Sequence, residues 1–423
     1  MSKIKRDIIS GAKWNSIGTI TIAAVALLKL SILARFLEKS DFGLMALVTF
    51  VMGFMNLFND MGLTSAILHK QDISKKEYAS LYWFNLGFSI VLYVLLCTIT
   101  PLVTSFYKEP ELNFLIPILG LNLIISAIGR IFKTIEAKHM RFKEVTVFEI
   151  ISAIISLVFA IYLAVNNYRV LALVYSVLLQ YILQNIMYFI LGLKKYGLLL
   201  HYKFSDTKPF LNIGIYQVGG QVANYFNRDL DILIIGKFFS QDVLGGYSLA
   251  KQLVFRPAQI LNPIITKVAS PTLSLLQNNI VELRTNYLRL IGMVAKVNIV
   301  VYVVTIIFTP FIIKILYGPG FDSIVSIVRI LSIYMIFRAI GNPIGSLVIA
   351  TGRTKLEFYW NLGMVMVIPI FIYLGSIFGV DGVAWALVLS SLLFFYPGWR
   401  ILVYNIVGGS FKEYLWAILR LKF

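Results

Sequence analysis

One cysteine and three histidines among 423 residues exclude two kinds of chemistry from the start. Cys97 alone cannot build a disulfide framework, and His69, His139 and His201 show no zinc-ligand spacing, so neither a disulfide-stapled fold nor a metal centre is expected. Charge is also scarce: 14% of residues are Asp, Glu, Lys or Arg, where a soluble domain carries roughly a quarter. No Walker A loop is present, because Gly352-Arg353-Thr354 lacks the upstream glycine at the required spacing. A cleavable leader is not expected either. The basic start Met1–Arg6 opens an apolar stretch of about 20 residues, which suits a first membrane span better than a short signal core.

What the chain does have is apolar length. Hydrophobic residues make up 59% of it, gathered into about twelve runs long enough to cross roughly 30 Å of hydrocarbon. The runs cover 14–34, 42–68, 81–106, 113–132, 146–165, 170–193, 211–236, 243–266, 291–316, 324–350, 359–378 and 382–404. Continuous runs of this length suit helices, whose backbone groups are satisfied internally. The expected fold class is therefore all-α, a polytopic integral membrane protein. No soluble domain of any size is expected.

A net charge of +18 raises nucleic acid as a partner, but the position of the cations answers otherwise. Connections on one side hold clusters such as Lys70, Lys75 and Lys76, or Arg130, Lys133, Lys138, Arg141 and Lys143. Connections on the other side hold only Arg35, Lys39, Lys108, Arg169, Lys237 and Lys314. By the positive-inside rule both termini are cytoplasmic, and no nucleic-acid partner is needed. The inner segment Arg130–Val145 interleaves cations with Phe132, Ile135, Met140 and Phe142. It and the tail are expected to lie among anionic headgroups.

The longest basic break, Lys194–Pro209, divides the spans six and six. Ala34-Arg35-Phe36-Leu37 aligns without gaps on Gly236-Lys237-Phe238-Phe239 at an offset of 202 residues, with Phe42-Gly43 over Leu244-Gly245 and Leu47 over Leu249. Six spans per half give both copies one orientation, a parallel repeat about an axis normal to the membrane. The expected division is an N-lobe over 1–200, a C-lobe over 201–410 and a basic amphipathic tail over 411–423.

Charges inside spans cost about 2.5–3.5 kcal/mol on insertion scales and need a partner or water. In the seventh span, Gln217, Gln221, Asn224, Arg228 and Asp231 recur at helical spacing on one face. They face either a wet cavity or a neighbouring helix, with Arg228 and Asp231 then paired internally. The eighth span carries Lys251, Arg256-Pro257 and Asn262-Pro263. Proline removes a backbone donor, so a bend is expected there, and cations beside a break suit an anion site. The tenth span places Tyr334, Arg338 and Asn342 on one face. There Arg338 either holds an anion or caps carbonyls. Lys29, which the repeat equates with Asp231, either lines the cavity or snorkels outward. The deep cations Lys29, Arg228, Lys251, Arg256 and Arg338 outnumber the acids Asp60, Asp229 and Asp231. That balance favours an anionic substrate, because guanidinium grips phosphate bidentately.

Two segments carry a resemblance. Ala34-Arg35-Phe36-Leu37-Glu38-Lys39-Ser40-Asp41-Phe42-Gly43-Leu44 with Asn59-Asp60-Met61-Gly62-Leu63, and Asp229-Leu230-Asp231-Ile232-Leu233-Ile234-Ile235-Gly236 with Leu244-Gly245-Gly246-Tyr247-Ser248-Leu249-Ala250, resemble bacterial Wzx-type polysaccharide and O-antigen repeat-unit flippases. These belong to the multidrug/oligosaccharidyl-lipid/polysaccharide superfamily. The resemblance implies a MATE-like pair of six-helix lobes and alternating access in a bacterial cytoplasmic membrane. It also implies movement of an undecaprenyl-diphosphate-linked oligosaccharide to the outer leaflet, with membrane lipids around the protein and a polysaccharide polymerase as a possible partner. Relatives with fourteen helices include lipid II flippases, from which a twelve-helix chain departs. No cofactor is implied, and any H+ or Na+ coupling would use Asp60, Asp229 or Asp231. The alternatives are a cation-coupled multidrug antiporter of the same fold, which would want an acidic cavity, and a membrane-bound polymerase or glycosyltransferase, which would want a large catalytic loop.

Overall fold

In the computed structural model the described backbone covers residues 3–70 and 72–419, with side chains described there except at 3–9, 12, 212–217 and 263–272. Every regular element among the described residues is helical. The chain divides into two compact units, Met1–Tyr225 and Phe226–Phe423, and the division falls inside one long helix.

The first unit contains α1 (Lys3–Leu33), α2 (Lys39–Asp60), α3 (Leu63–His69), α4 (Lys75–Tyr107), α5 (Leu112–Lys138), α6 (Phe142–Val165) and α7 (Val170–Tyr196). The helix α8 (Phe204–Phe238) opens in this unit and continues into the second. There it is followed by α9 (Gln241–Leu275), α10 (Ile280–Leu316), α11 (Val325–Gly341), α12 (Pro343–Ala350), α13 (Thr354–Ser376) and α14 (Gly379–Leu393). The short α15 (Phe395–Gly398) and α16 (Asn405–Val407) flank a π-helical stretch, and α17 (Phe411–Leu419) closes the described chain. The starts of α2 at Lys39 and α9 at Gln241 stand 202 positions apart, the offset read from the sequence.

Among the described residues nine helical segments are long and apolar enough to cross a membrane. A tenth is counted if Gly379–Leu393 and Phe395–Val407, bent by 43°, form one crossing. The expected seventh and eighth spans lie on α8 and α9, each 35 residues long, and neither is among those segments. Their polar stripes dilute the apolar run that marks the others. Pro257, where a bend is expected, does not interrupt the helix, which continues from Gln241 to Leu275.

Burial is inverted relative to a water-soluble protein. Leu102, Val158 and Phe311 stand exposed on the outside of their helices, while Asn59, Ser89, Ser156, Ser176 and Asn298 are fully buried. Lipid accepts the first set, and interhelical hydrogen bonds satisfy the second. In the first unit α5 packs between α4 and α7, and α1 lies on α6. Close approach of α5 and α7 depends on Gly129, where a Cβ would come within 2.9 Å of the Asn185 backbone. Small residues permit such contact where no hydrophobic force drives helices together. In the second unit α10 and α11 pack together, α11 also meets α9 and α14, and α17 lies on α10.

The expected inner segment Arg130–Val145 is corrected by the fold. It is helix on both sides, since α5 continues to Lys138 and α6 starts at Phe142. Arg130 therefore sits within α5. It donates to the Asn59 carbonyl, and its Nη2 donates to Ser126 Oγ at 3.1 Å. Asn85 also donates to that carbonyl at 3.0 Å. The carbonyl needs outside donors because α2 ends at Asp60, where Met61 and Gly62 both turn left-handed.

Candidate functional site

The polar stripe of α8 does not act as one surface. Gln221, Asn224 and Arg228 are exposed, and Asp231 is almost fully buried. The side chain of Gln217 lies outside the described residues. Asp231 turns toward α9, where Lys251 Nζ donates to its Oδ1 at 2.7 Å and Tyr247 OH to its Oδ2 at 2.5 Å. Lys251 also donates to Asp229 Oδ1 at 3.1 Å and to the Arg228 carbonyl at 2.8 Å. An ammonium has three N–H donors, and here three acceptors take them. Arg228 does not pair with Asp231, the internal alternative considered from spacing. It bonds Asp229 Oδ2 at 2.7 Å instead.

Beside this knot, within the second unit, lies a cleft of about 360 Å³. Its walls include Arg228, Arg338 and Asn342, three of the residues singled out by sequence, together with Gln259, Asn262 and Ser346. No carboxylate is among its described lining residues. The helix α11 presents Arg338 with its guanidinium 5.6 Å from the Phe255 ring centre and 5.7 Å from that of Tyr334. Nη1 donates to Tyr334 OH at 2.5 Å. The rings hold the charge by cation–π attraction without neutralising it. That leaves a guanidinium, three side-chain amides and a hydroxyl around one cavity, which can bind anionic oxygen and polyhydroxylated groups together.

The other predicted residues lie elsewhere. Lys251 is buried in the ion knot and does not line the cleft. Arg256, half-buried, faces the Tyr317 region and is also absent from the lining. In the first unit Lys29 donates to Ser156 Oγ at 3.0 Å, and Ser156 Oγ donates to the Ser176 carbonyl at 2.6 Å. Asp60 accepts from Thr64 Oγ1 at 2.5 Å and lies in the field of Arg130. Among the described residues no group of three or more His, Cys, Asp or Glu side chains is arranged for a metal.

Sequence reasoning did not single out Gln259 or Ser346. Gln259 follows Arg256-Pro257, and Ser346 lies four residues beyond Asn342, so helical spacing from Asn342 was an available signal for it. Arg130 was assigned to a connection, and only the three-dimensional path of α5 reveals its depth.

The profile of a family described as "Polysaccharide biosynthesis protein" matches residues 32–326. The lipopolysaccharide biosynthesis protein WzxC of Escherichia coli (strain K12) is 25% identical over 98% of this chain and 85% of its own length. The teichuronic acid biosynthesis protein TuaB of Bacillus subtilis (strain 168) is 29% identical over 99% of this chain and 87% of its own. Among solved structures, a lipid II flippase MurJ in an inward closed conformation superposes with a TM-score of 0.74 at 15% identity, covering 96% of this chain and 89% of that one. Helix number had set the chain apart from lipid II flippases. At the level of fold the two are alike. With its family profile matched over most of its length and its helices those of a multi-pass membrane protein, the chain belongs to the polysaccharide biosynthesis protein family.

Proposed function

We propose that this protein is a flippase, not an enzyme. It translocates undecaprenyl-diphosphate-linked oligosaccharide repeat units from the inner to the outer leaflet of a bacterial cytoplasmic membrane, by alternating access. In this reading α8 and α9 complete twelve crossings in two six-helix lobes, and both termini are cytoplasmic. The family and the names of its relatives support the substrate class. The observation that carries the proposal is the cleft of the second unit, where Arg228 and Arg338 stand among Gln259, Asn262, Asn342 and Ser346 with no carboxylate among the described lining residues. Guanidinium suits the diphosphate, and the amides and hydroxyl suit sugar oxygens.

A cation-carrying antiporter would want free acids in the same place. Here Asp229 and Asp231 are committed to Arg228 and Lys251. Coupling to an H+ or Na+ gradient would act through Asp60, Asp229 or Asp231, the acids within the spans. The test is gene deletion. Undecaprenyl-linked oligosaccharide should accumulate on the cytoplasmic leaflet, with unchanged sensitivity to cationic dyes. Dye hypersensitivity without loss of surface polymer would assign the protein to drug export, and loss of polymer with substrate already facing outward would indicate a polymerising enzyme.

A further inference from the structure

A second cavity, of about 690 Å³, lies where the tail helix α17 meets the first half of α10. It shares no lining residue with the cleft described above. Three cations of α10 line it: Arg284, Arg289 and Lys296. Its floor is apolar, formed by Leu288, Met293 and Ala417. The groove depends on Gly292. A Cβ there would come within 2.7 Å of the Ala417 carbonyl, so α17 lies directly on the α10 backbone at that turn.

The lining acid is Glu413, which is engaged by its own helix. Its Oε2 accepts from Ser410 N at 3.3 Å, while Ser410 Oγ accepts from Glu413 N at 3.1 Å. This reciprocal pair caps α17. The groove therefore keeps a positive balance. From Lys296 to Arg284 the cations climb about 18 Å along α10 at the helical rise. In the other direction Met293, Val297, Val300, Val304, Ile307 and Phe311 recur at spacings of three and four, all exposed. They form a continuous apolar track of about 27 Å that starts beside Lys296. Trp416, also exposed, stands on α17 beside the groove. Indole rings favour the membrane–water interface.

A cationic groove opening onto an apolar track of bilayer length has the chemistry of one ligand. We propose that this groove binds an anionic phospholipid of the leaflet on the basic side of the protein, its phosphate between Arg289 and Lys296, two turns apart on one face of α10, and an acyl chain along the α10 track. The lipid would hold α17 against α10 and so tie the tail to the membrane surface.

The full chain is reconstituted in vesicles of equal phosphatidylglycerol and phosphatidylcholine, extracted in mild detergent, and its retained lipid measured. Phosphatidylglycerol should be retained in preference to phosphatidylcholine. The double variant Arg289→Gln/Lys296→Gln should lose that preference roughly thirtyfold, from two basic residues near an anionic surface. The charge-preserving Arg289→Lys/Lys296→Arg should keep it. Equal retention of the two lipids by the unmodified chain would overturn the proposal, as would an undiminished preference in the double glutamine variant. Displacement of the phospholipid by inorganic phosphate would also overturn it, by making the groove a site for soluble anions. Should the double variant not purify as a single species, Lys296→Gln alone carries the comparison, with a loss of about fivefold expected.

Discussion

Lys251 Nζ and Asp231 Oδ1 stand 2.7 Å apart between α9 and α8, both side chains almost wholly out of solvent. This contact separates the α8 stripe into two parts. Asp231 and its neighbour Asp229 hold the helix pair together, leaving Gln221, Asn224 and Arg228 exposed. A buried ion pair contributes little net stability, but removing one partner strands a charge.

Lys251→Met should therefore lower stability by about 3–5 kcal/mol, because among the described residues Asp231 then keeps Tyr247 alone as a direct side-chain partner. Lys251→Met combined with Asp231→Asn should recover most of that loss. Thermal unfolding in detergent measures both. Equal destabilisation by the single and double variants would mean that the pair is not the reason for the loss.

Arg338 and Arg256 make a sharper comparison, since both are arginines of the second unit and only Arg338 lines the cleft. Arg338→Ala should cut polymer export roughly tenfold to a hundredfold, the worth of a charge-assisted hydrogen bond. Arg338→Lys should restore export only in part, because an ammonium has no planar face to set against the Phe255 and Tyr334 rings and no planar fork to present. Arg256→Ala should have the smaller effect. A larger loss from Arg256→Ala at equal protein level would move the anion site away from the cleft.

Acid sensitivity should reside partly at the start of α8, outside the apolar stretch. Asp206 is held below the usual carboxylate range by the hydroxyl of Ser80, which donates at 2.9 Å, and by the His201 ring at 3.1 Å. A carboxyl lowered in the folded state contributes its full stability above the unfolded value of about 3.9 and loses it as pH falls through the lower folded value. Asp206→Asn should lower the melting temperature at neutral pH, where the charged carboxyl contributes in full, and so flatten its fall over that acid window. An unchanged acid profile would rule out this contribution.

Much of this was legible in the sequence because its signals are local. Long apolar runs mark spans, and spacings of three and four put Arg338 and Asn342 on the face where the cleft is found. What could not be read was pairing between helices. Nothing in the one-dimensional spacing shows that Lys251 faces Asp231, so Lys251 was grouped with the cavity cations. Arg130 was placed in a connection because its neighbours Lys133, Lys138 and Arg141 alternate with apolar residues as an interfacial segment does. In the fold it caps the broken end of α2. The spans on α8 and α9 show the opposite problem. The residues that make them functional candidates also make them too polar to pass as membrane helices by composition.

The most direct test of the central claim is transport by the purified chain alone. Reconstituted into liposomes, it should move a labelled undecaprenyl-diphosphate-linked oligosaccharide from one leaflet to the other, measured by the fraction reached by a membrane-impermeant reagent. Arg338→Ala protein inserted to the same level should move it much more slowly. Movement no faster than in protein-free vesicles, or equal movement by the variant, would contradict the account.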